Sequence, residues 1–298
     1  GGLSEAMAKL SANYLQMKGQ MGFNNPQVET GKMSLRTELF RILPKGSSQP
    51  ASGFPDPGQD SNTLWKNKLQ AAKVADLRMV PEFRYYCRAF ASEDAGPQPG
   101  LVIRFGTDIT AGRNFFGHPL AGGDHAYDPS HFATKIRSVG LWFSDYLSGD
   151  VVNDLPATPR VYLIPSGSDV MSVPTSDDPG DVRMWKVVDQ RIPVPYPAVS
   201  SDLDNSSWVP LMDSLNGRMG EPRKFPQFRA YHDGTDVVNM DELVGDTRLV
   251  GRSVWNTEWI LIVPGSMLNA DPDEGLRRFI EQVSDIKLVF ETYGLSGN

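Results

Sequence analysis

Large apolar side chains at Leu3, Met7, Leu10, Tyr14, Met17 and Met21 follow one another at intervals of 4, 3, 4, 3 and 4 residues. That is the period of an a/d seam, so the chain is expected to open with a helix. Its stripe meets either its own domain or a bundle of other helices. Gly19 and Gly22 weaken the end of this helix, and Asn24-Asn25-Pro26 stops it. A second helix is predicted over 34–43, with Leu35, Leu39, Ile42 and Leu43 on one face. Residues 44–60 are rich in Pro, Gly and Ser and read as an exposed loop. Ser61 or Asn62 then caps a third helix that turns Leu64, Trp65, Leu69 and Ala72 inward.

From residue 101 the period changes to 2. Strands are predicted over 101–105, 134–143, 160–164, 184–189, 228–232, 249–255, 259–263 and 284–293, divided by Pro- and Gly-rich turns. In the last of them Ile286, Leu288 and Phe290 fall on one face and Asp285, Lys287 and Glu291 on the other. This alternation places the strand in the interior of an antiparallel sheet. One helix interrupts at 271–283, with Asp271 as N-cap, Pro272 at its first position and Glu274 at its third. Helices do not alternate with the strands, as parallel crossovers would require. The expected fold is therefore mainly β, an antiparallel, jelly-roll-like β-sandwich with an N-terminal helical segment. Residues 1–80 form the helical segment, with its loop at 44–60, and residues 81–298 form the sandwich.

The totals narrow the function. The 298 residues carry a net charge of -7, which repels polyphosphate and argues against a nucleic-acid partner. No apolar run approaches the ~20 residues of a membrane-spanning helix; the longest, 259–264, is strand-sized. The single cysteine, Cys87, cannot form an internal disulfide. The chain starts Gly-Gly-Leu without an initiator Met or a signal peptide, which fits either a start altered for expression or a piece of a longer protein.

Candidate chemistry is sparse. His118, His125 and His131, three of the four histidines, lie in one stretch with Asp124 and Asp128. With Asp128 they form a candidate divalent-metal set, because imidazole and carboxylate are usual ligands. The spacing matches no helical or finger pattern, so the preferred reading is a hydrogen-bonded loop. The run 271–275 resembles a calcium loop only faintly and is explained by helix capping. No complete nucleophile elbow or phosphate-binding loop is present, Cys87 sits in an aromatic setting, and the neighbours His232 and Asp233 point to opposite faces of a strand. The chain is read as a non-enzyme that needs no cofactor. Trp142 falls on the strand face opposite Val139, Leu141 and Phe143. It is either an anchor for a partner protein or sugar, or part of a covered second face.

Two distant segments carry a family resemblance. His131, Phe132, Ile136, Ser138, Val139 and Leu141 match the pattern H-[YF]-x-x-x-I-x-S-V-x-L, and Ser284-Asp285-Ile286 with Tyr293 matches a terminal turn and strand. Together with Trp259-Ile260-Leu261 and Pro264 they resemble the C-terminal region of the A subunits of bacterial toxin complexes (Tc toxins). The tail 294–298 departs from that family's, and 43–129 has no counterpart in it. The resemblance implies a β-sandwich that docks a toxin B-type subunit, fed by a channel helix that corresponds to the Leu3–Met21 stripe and meets its own copies in a homo-oligomer. It also implies a virulence protein secreted by a bacterium or released from its cytoplasm. The alternative is a secreted carbohydrate-binding or metal-dependent hydrolytic sandwich that uses the histidine loop.

Overall fold

The structure, a computed structural model, describes residues 27–47, 54, 60–87, 96–126, 131–146, 155–157, 159–172, 182–185, 225, 227–232, 249 and 251–296. It is mainly strand, in several antiparallel sheets. The seam residues Leu3, Met7, Leu10, Tyr14, Met17 and Met21 lie outside the described residues, as does Asp128.

The first sheet has the order β1-β12-β4-β9, from β1 (Gln27–Ser34), β12 (Asp285–Ser296), β4 (His131–Ser144) and β9 (Tyr231–His232). The C-terminal strand is interior, as its alternation predicts, with β1 on one side and β4 on the other, both antiparallel. Ile286, Leu288 and Phe290 point into the core beside Leu141, Val139 and Phe143. The second sheet runs β2-β3-β11-β5-β8: β2 (Lys73–Val74), β3 (Gly100–Phe105), β11 (Trp259–Pro264), β5 (Arg160–Pro165) and β8 (Phe228–Arg229). Every residue of β11 is buried. One face of this sheet reaches the first through Trp259 and Phe290, whose ring centroids lie 5.9 Å apart. Among the described residues a third, short sheet consists of β6 (Asp169–Ser172), β7 (Val182–Trp185) and β10 (Trp255–Asn256).

Among the described residues three helices pack on these sheets. α1 (Ser61–Ala71) buries Trp65 and Leu69, and the Trp65 indole N–H donates to the Val283 carbonyl over 2.7 Å. α2 (Pro81–Tyr86) sets Phe83 edge-on against Tyr162 of β5. α3 (Pro272–Gln282) packs Phe279 on Phe143 at 4.9 Å and is capped as expected, Asp271 accepting from the Glu274 N–H.

Four features differ from the sequence reading. The predicted helix over 34–43 is instead the end of β1 followed by a single wide turn, Leu35–Leu39, in which the Phe40 N–H reaches back to Leu35 O. Its cap is reciprocal: the Ser34 hydroxyl accepts from the Thr37 N–H, and the Glu38 carboxylate accepts from the Ser34 N–H. Arg41, with φ of 54°, turns the chain out of that geometry. The cap of α1 is Asp60, one residue before Ser61. The strand expected over 249–255 pairs as a strand only at Trp255 and Asn256, with Ser253 bridged to Lys135. The strand expected over 228–232 splits at Ala230: β8 joins β5 antiparallel, whereas β9 joins β4 parallel.

Buried Arg36 ties these parts together. It is 1% exposed. Its Nε donates to Leu43 O, Nη1 to Ser284 O, and Nη2 to Ser61 Oγ and Asn62 Oδ1. Asp285 accepts from the Arg36 N–H and the Ser34 hydroxyl. One guanidinium thus joins the turn after β1, the start of α1 and the start of β12. Replacing Arg36 by Met is expected to lower the unfolding free energy by ~3–5 kcal/mol, because the acceptors stay buried without their donors. Urea denaturation should show a lower midpoint at unchanged slope. Arg36→Lys should recover little of the loss, since one ammonium does not reproduce the fork.

Candidate functional site

The histidine loop, 107–126, folds against the turn that follows β1. Asn114, fully buried, is its pivot. Its amide nitrogen donates to Glu38 O over 2.8 Å, and its amide oxygen accepts from the Phe116 and His118 N–H groups. The His118 Nε2 stands 2.8 Å from Leu39 O. A carbonyl only accepts, so that nitrogen carries the ring proton. Arg41 and Asp124 form a two-pronged pair at 2.9 and 2.8 Å, and Arg41 also donates to Pro119 O. The paired side chains are 9% and 3% exposed, which removes most of the screening that weakens surface pairs.

Glu38 is the acceptor on which the loop closes. Its Oε1 takes the His125 N–H at 2.6 Å and the His125 Nδ1 at 3.0 Å, while Oε2 takes the Ser34 N–H. This carboxylate raises the His125 pKa above the ordinary 6.5, against the opposing effect of burial. His131 opens β4, and its Nε2 lies 3.6 Å from Glu29 on β1. The three histidines therefore serve three different partners, Leu39, Glu38 and Glu29. Among the described residues no three His, Cys, Asp or Glu side chains converge to hold a metal ion.

Between the loop and the first sheet lies a cleft of about 150 Å³. Its floor is Phe115, Trp255 and Phe290, with Phe115 5.2 Å from the Trp255 ring and 5.9 Å from Phe290. Glu29, His131, Thr134 and Thr292 form its mouth. Gly31 contributes a bare stretch of backbone to the wall. A Cβ there would come within 2.9 Å of the Met33 sulfur, so the position has no room for a side chain without displacing Met33.

Trp142 occupies the opposite face of the same sheet. It is half-buried against Val289 and Tyr231, with the Lys32 ammonium 4.3 Å above its ring. It lies on the face away from the core, where Val289 and Tyr231 cover part of it. Arg137 and Glu291 pair on this face at 3.2 Å. Sequence reasoning picked out the histidines but missed Glu38, Asn114, Arg41 and the aromatic floor. Glu38 sits in what reads as a helix, and Asn114 in a loop without a motif. Only the Ser34-to-Glu38 spacing, one residue longer than a capping box, signals the turn.

A scan against models of known protein families finds no match to this chain, and a search of curated proteins finds none.

The His125–Glu38 pair has a definite pH signature. A folded-state pKa raised above the unfolded one gives stability that is fully present below about pH 6.5 and lost as pH rises through the folded value. Glu38→Gln is expected to return the His125 midpoint toward 6.5 in an NMR titration of its ring protons. The stability gap between wild type and variant should narrow from pH 5.5 to pH 8, as followed by ~0.5-unit steps in denaturation experiments.

Proposed function

We propose that this chain is a non-enzymatic assembly module, a β-sandwich similar to the docking end of a Tc toxin A subunit. The observation that carries the reading is the pairing of β4 with β12. These strands hold the two segments on which the resemblance rests, and although some 150 residues apart they are direct neighbours, with Val139 opposite Phe290 and Leu141 opposite Leu288. The motif residues Ile136, Val139, Leu141 and Ile286 thus share one sheet and one core.

Further support comes from β1. Among the described residues it is an edge strand, paired along all eight residues with β12, and Val28 on it is 51% exposed. Edge strands offer unpaired backbone groups to a neighbour. β1 follows directly on the segment with the Leu3–Met21 stripe, so self-association of that stripe would bring copies of this sheet together. The histidine loop favours the same reading over the hydrolytic or carbohydrate-binding one, because His118, His125 and Asp124 hold the loop to the turn after β1. Among the described residues no helix is long and apolar enough to cross a membrane. In this reading the stripe joins copies of the chain, and the sandwich meets a B-type subunit of a bacterial toxin complex after release from the cell.

Sedimentation tests the assembly role. The wild type should form oligomers at high concentration, and Leu10→Glu with Met17→Glu should dissolve them while the β domain keeps its melting transition. A wild-type monomer whose β domain is destabilised by the same two substitutions overturns the reading: the stripe is then docked within its own domain.

A further inference from the structure

At the end of the histidine loop two bonds converge on one buried oxygen. Glu38 Oε1 takes the His125 N–H at 2.6 Å and the His125 Nδ1 at 3.0 Å. The two side chains differ in their access to water: that of Glu38 is 4% exposed and that of His125 45%. A proton can therefore reach the ring from solvent while the loop is closed, whereas Glu38 regains hydration only if the loop end moves away. His125 is also tied back to the core. Its carbonyl accepts from the Phe115 N–H over 2.7 Å, and Phe115 packs on Trp255 and Phe290.

The proton on His125 decides what this oxygen faces. A charged imidazole answers the buried carboxylate with a full opposite charge. A neutral one can still donate from Nδ1, but Glu38 then keeps its charge among neutral donors, the ring and the Ser34 and His125 N–H groups. A carboxylate so placed favours any opening that admits water. Asp124 of the same loop also favours the charged ring, but it is paired with Arg41. Across the cleft Glu29 of β1 and His131 of β4 stand 3.6 Å apart and face each other. We propose that His125 and Glu38 form a pH-operated latch: while the imidazole is charged the loop end is held on the turn after β1, and when the proton leaves, this end opens locally without the sheets coming apart. The raised pKa of the closed ring has the sign that this needs. Closure is fully favoured below about pH 6.5 and weakens as pH rises through the closed-state value. The latch acts within one chain and is independent of assembly.

Amide hydrogen exchange on the full chain separates local from global opening. Between pH 5.5 and pH 8, after correction for the intrinsic rate, protection of the His125 and Phe115 N–H groups should fall about two- to fivefold more than that of the β11 amides, the worth of a partly exposed ion pair. His125→Asn keeps a donor near Glu38 but does not titrate. This variant and Glu38→Gln should each make the two amides follow β11 across the range. Wild-type amides at 115 and 125 that follow β11 would overturn the proposal, because opening is then global only. A pH-dependent excess that survives in both folded variants would overturn it as well.

Discussion

The structure depends on one buried cation. Arg36 is almost fully buried, and burial lowers its pKa by disfavouring the charged form. An ionised group in such a place persists only if its donors find acceptors. Leu43, Ser61, Asn62 and Ser284 supply them, and Asp285 adds a nearby negative charge. These residues come from three separated stretches of chain. The requirement fixes where the turn after β1 lies, which positions Glu38, and Glu38 in turn closes the histidine loop over the cleft. An apolar residue at position 36 would fill the volume without specifying which three stretches meet there.

The sequence was most legible where burial is one-sided and periodic. In β12, Ile286, Leu288 and Phe290 alternate with Asp285, Lys287, Val289 and Glu291, three of them charged, and both the strand and its interior place follow from that pattern. β11 and α3 announce themselves for similar reasons, the first by an unbroken apolar run and the second by its Asp271 cap. β1 gave no such signal. Its inward positions are Glu29, Gly31 and Met33, two of which are not apolar, because they border a cleft instead of a packed core. A helical reading of 34–43 then competed successfully, since Leu35, Leu39, Ile42 and Leu43 fit a helical face as well as they fit a wide turn with a buried exit.

Long-range partnership is the other limit. The histidines stood out by composition, yet what they do depends on Leu39, Glu38 and Glu29, which lie roughly 80–100 residues away along the chain. No local spacing encodes those distances. The same holds for the five residues from Phe228 to His232. Their composition reads as one strand, but Ala230 donates its N–H to Pro159 O, and the segment leaves one sheet for the other at that point. A strand pattern describes the faces of a segment and not which neighbour takes its backbone groups.

The contacts of Arg36 also bear on the order in which the chain acquires its structure. Its bond to the Ser284 carbonyl spans 248 residues. At a synthesis rate of ~5–20 residues per second, the acceptor emerges on the order of 12–50 s after the guanidinium. During that interval β1 has no β12 to pair with, and its backbone groups and the charge beside it face solvent or a chaperone. The second sheet shares the delay, because β3 and β5 both wait for β11. Such late, non-local closure makes folding slow and leaves strand edges open in the nascent chain. A protein wired in this way gains its cooperativity only once β12 is available, and truncation before residue 285 would remove an interior strand of one sheet together with the Asp285 carboxylate that accepts from the Arg36 N–H.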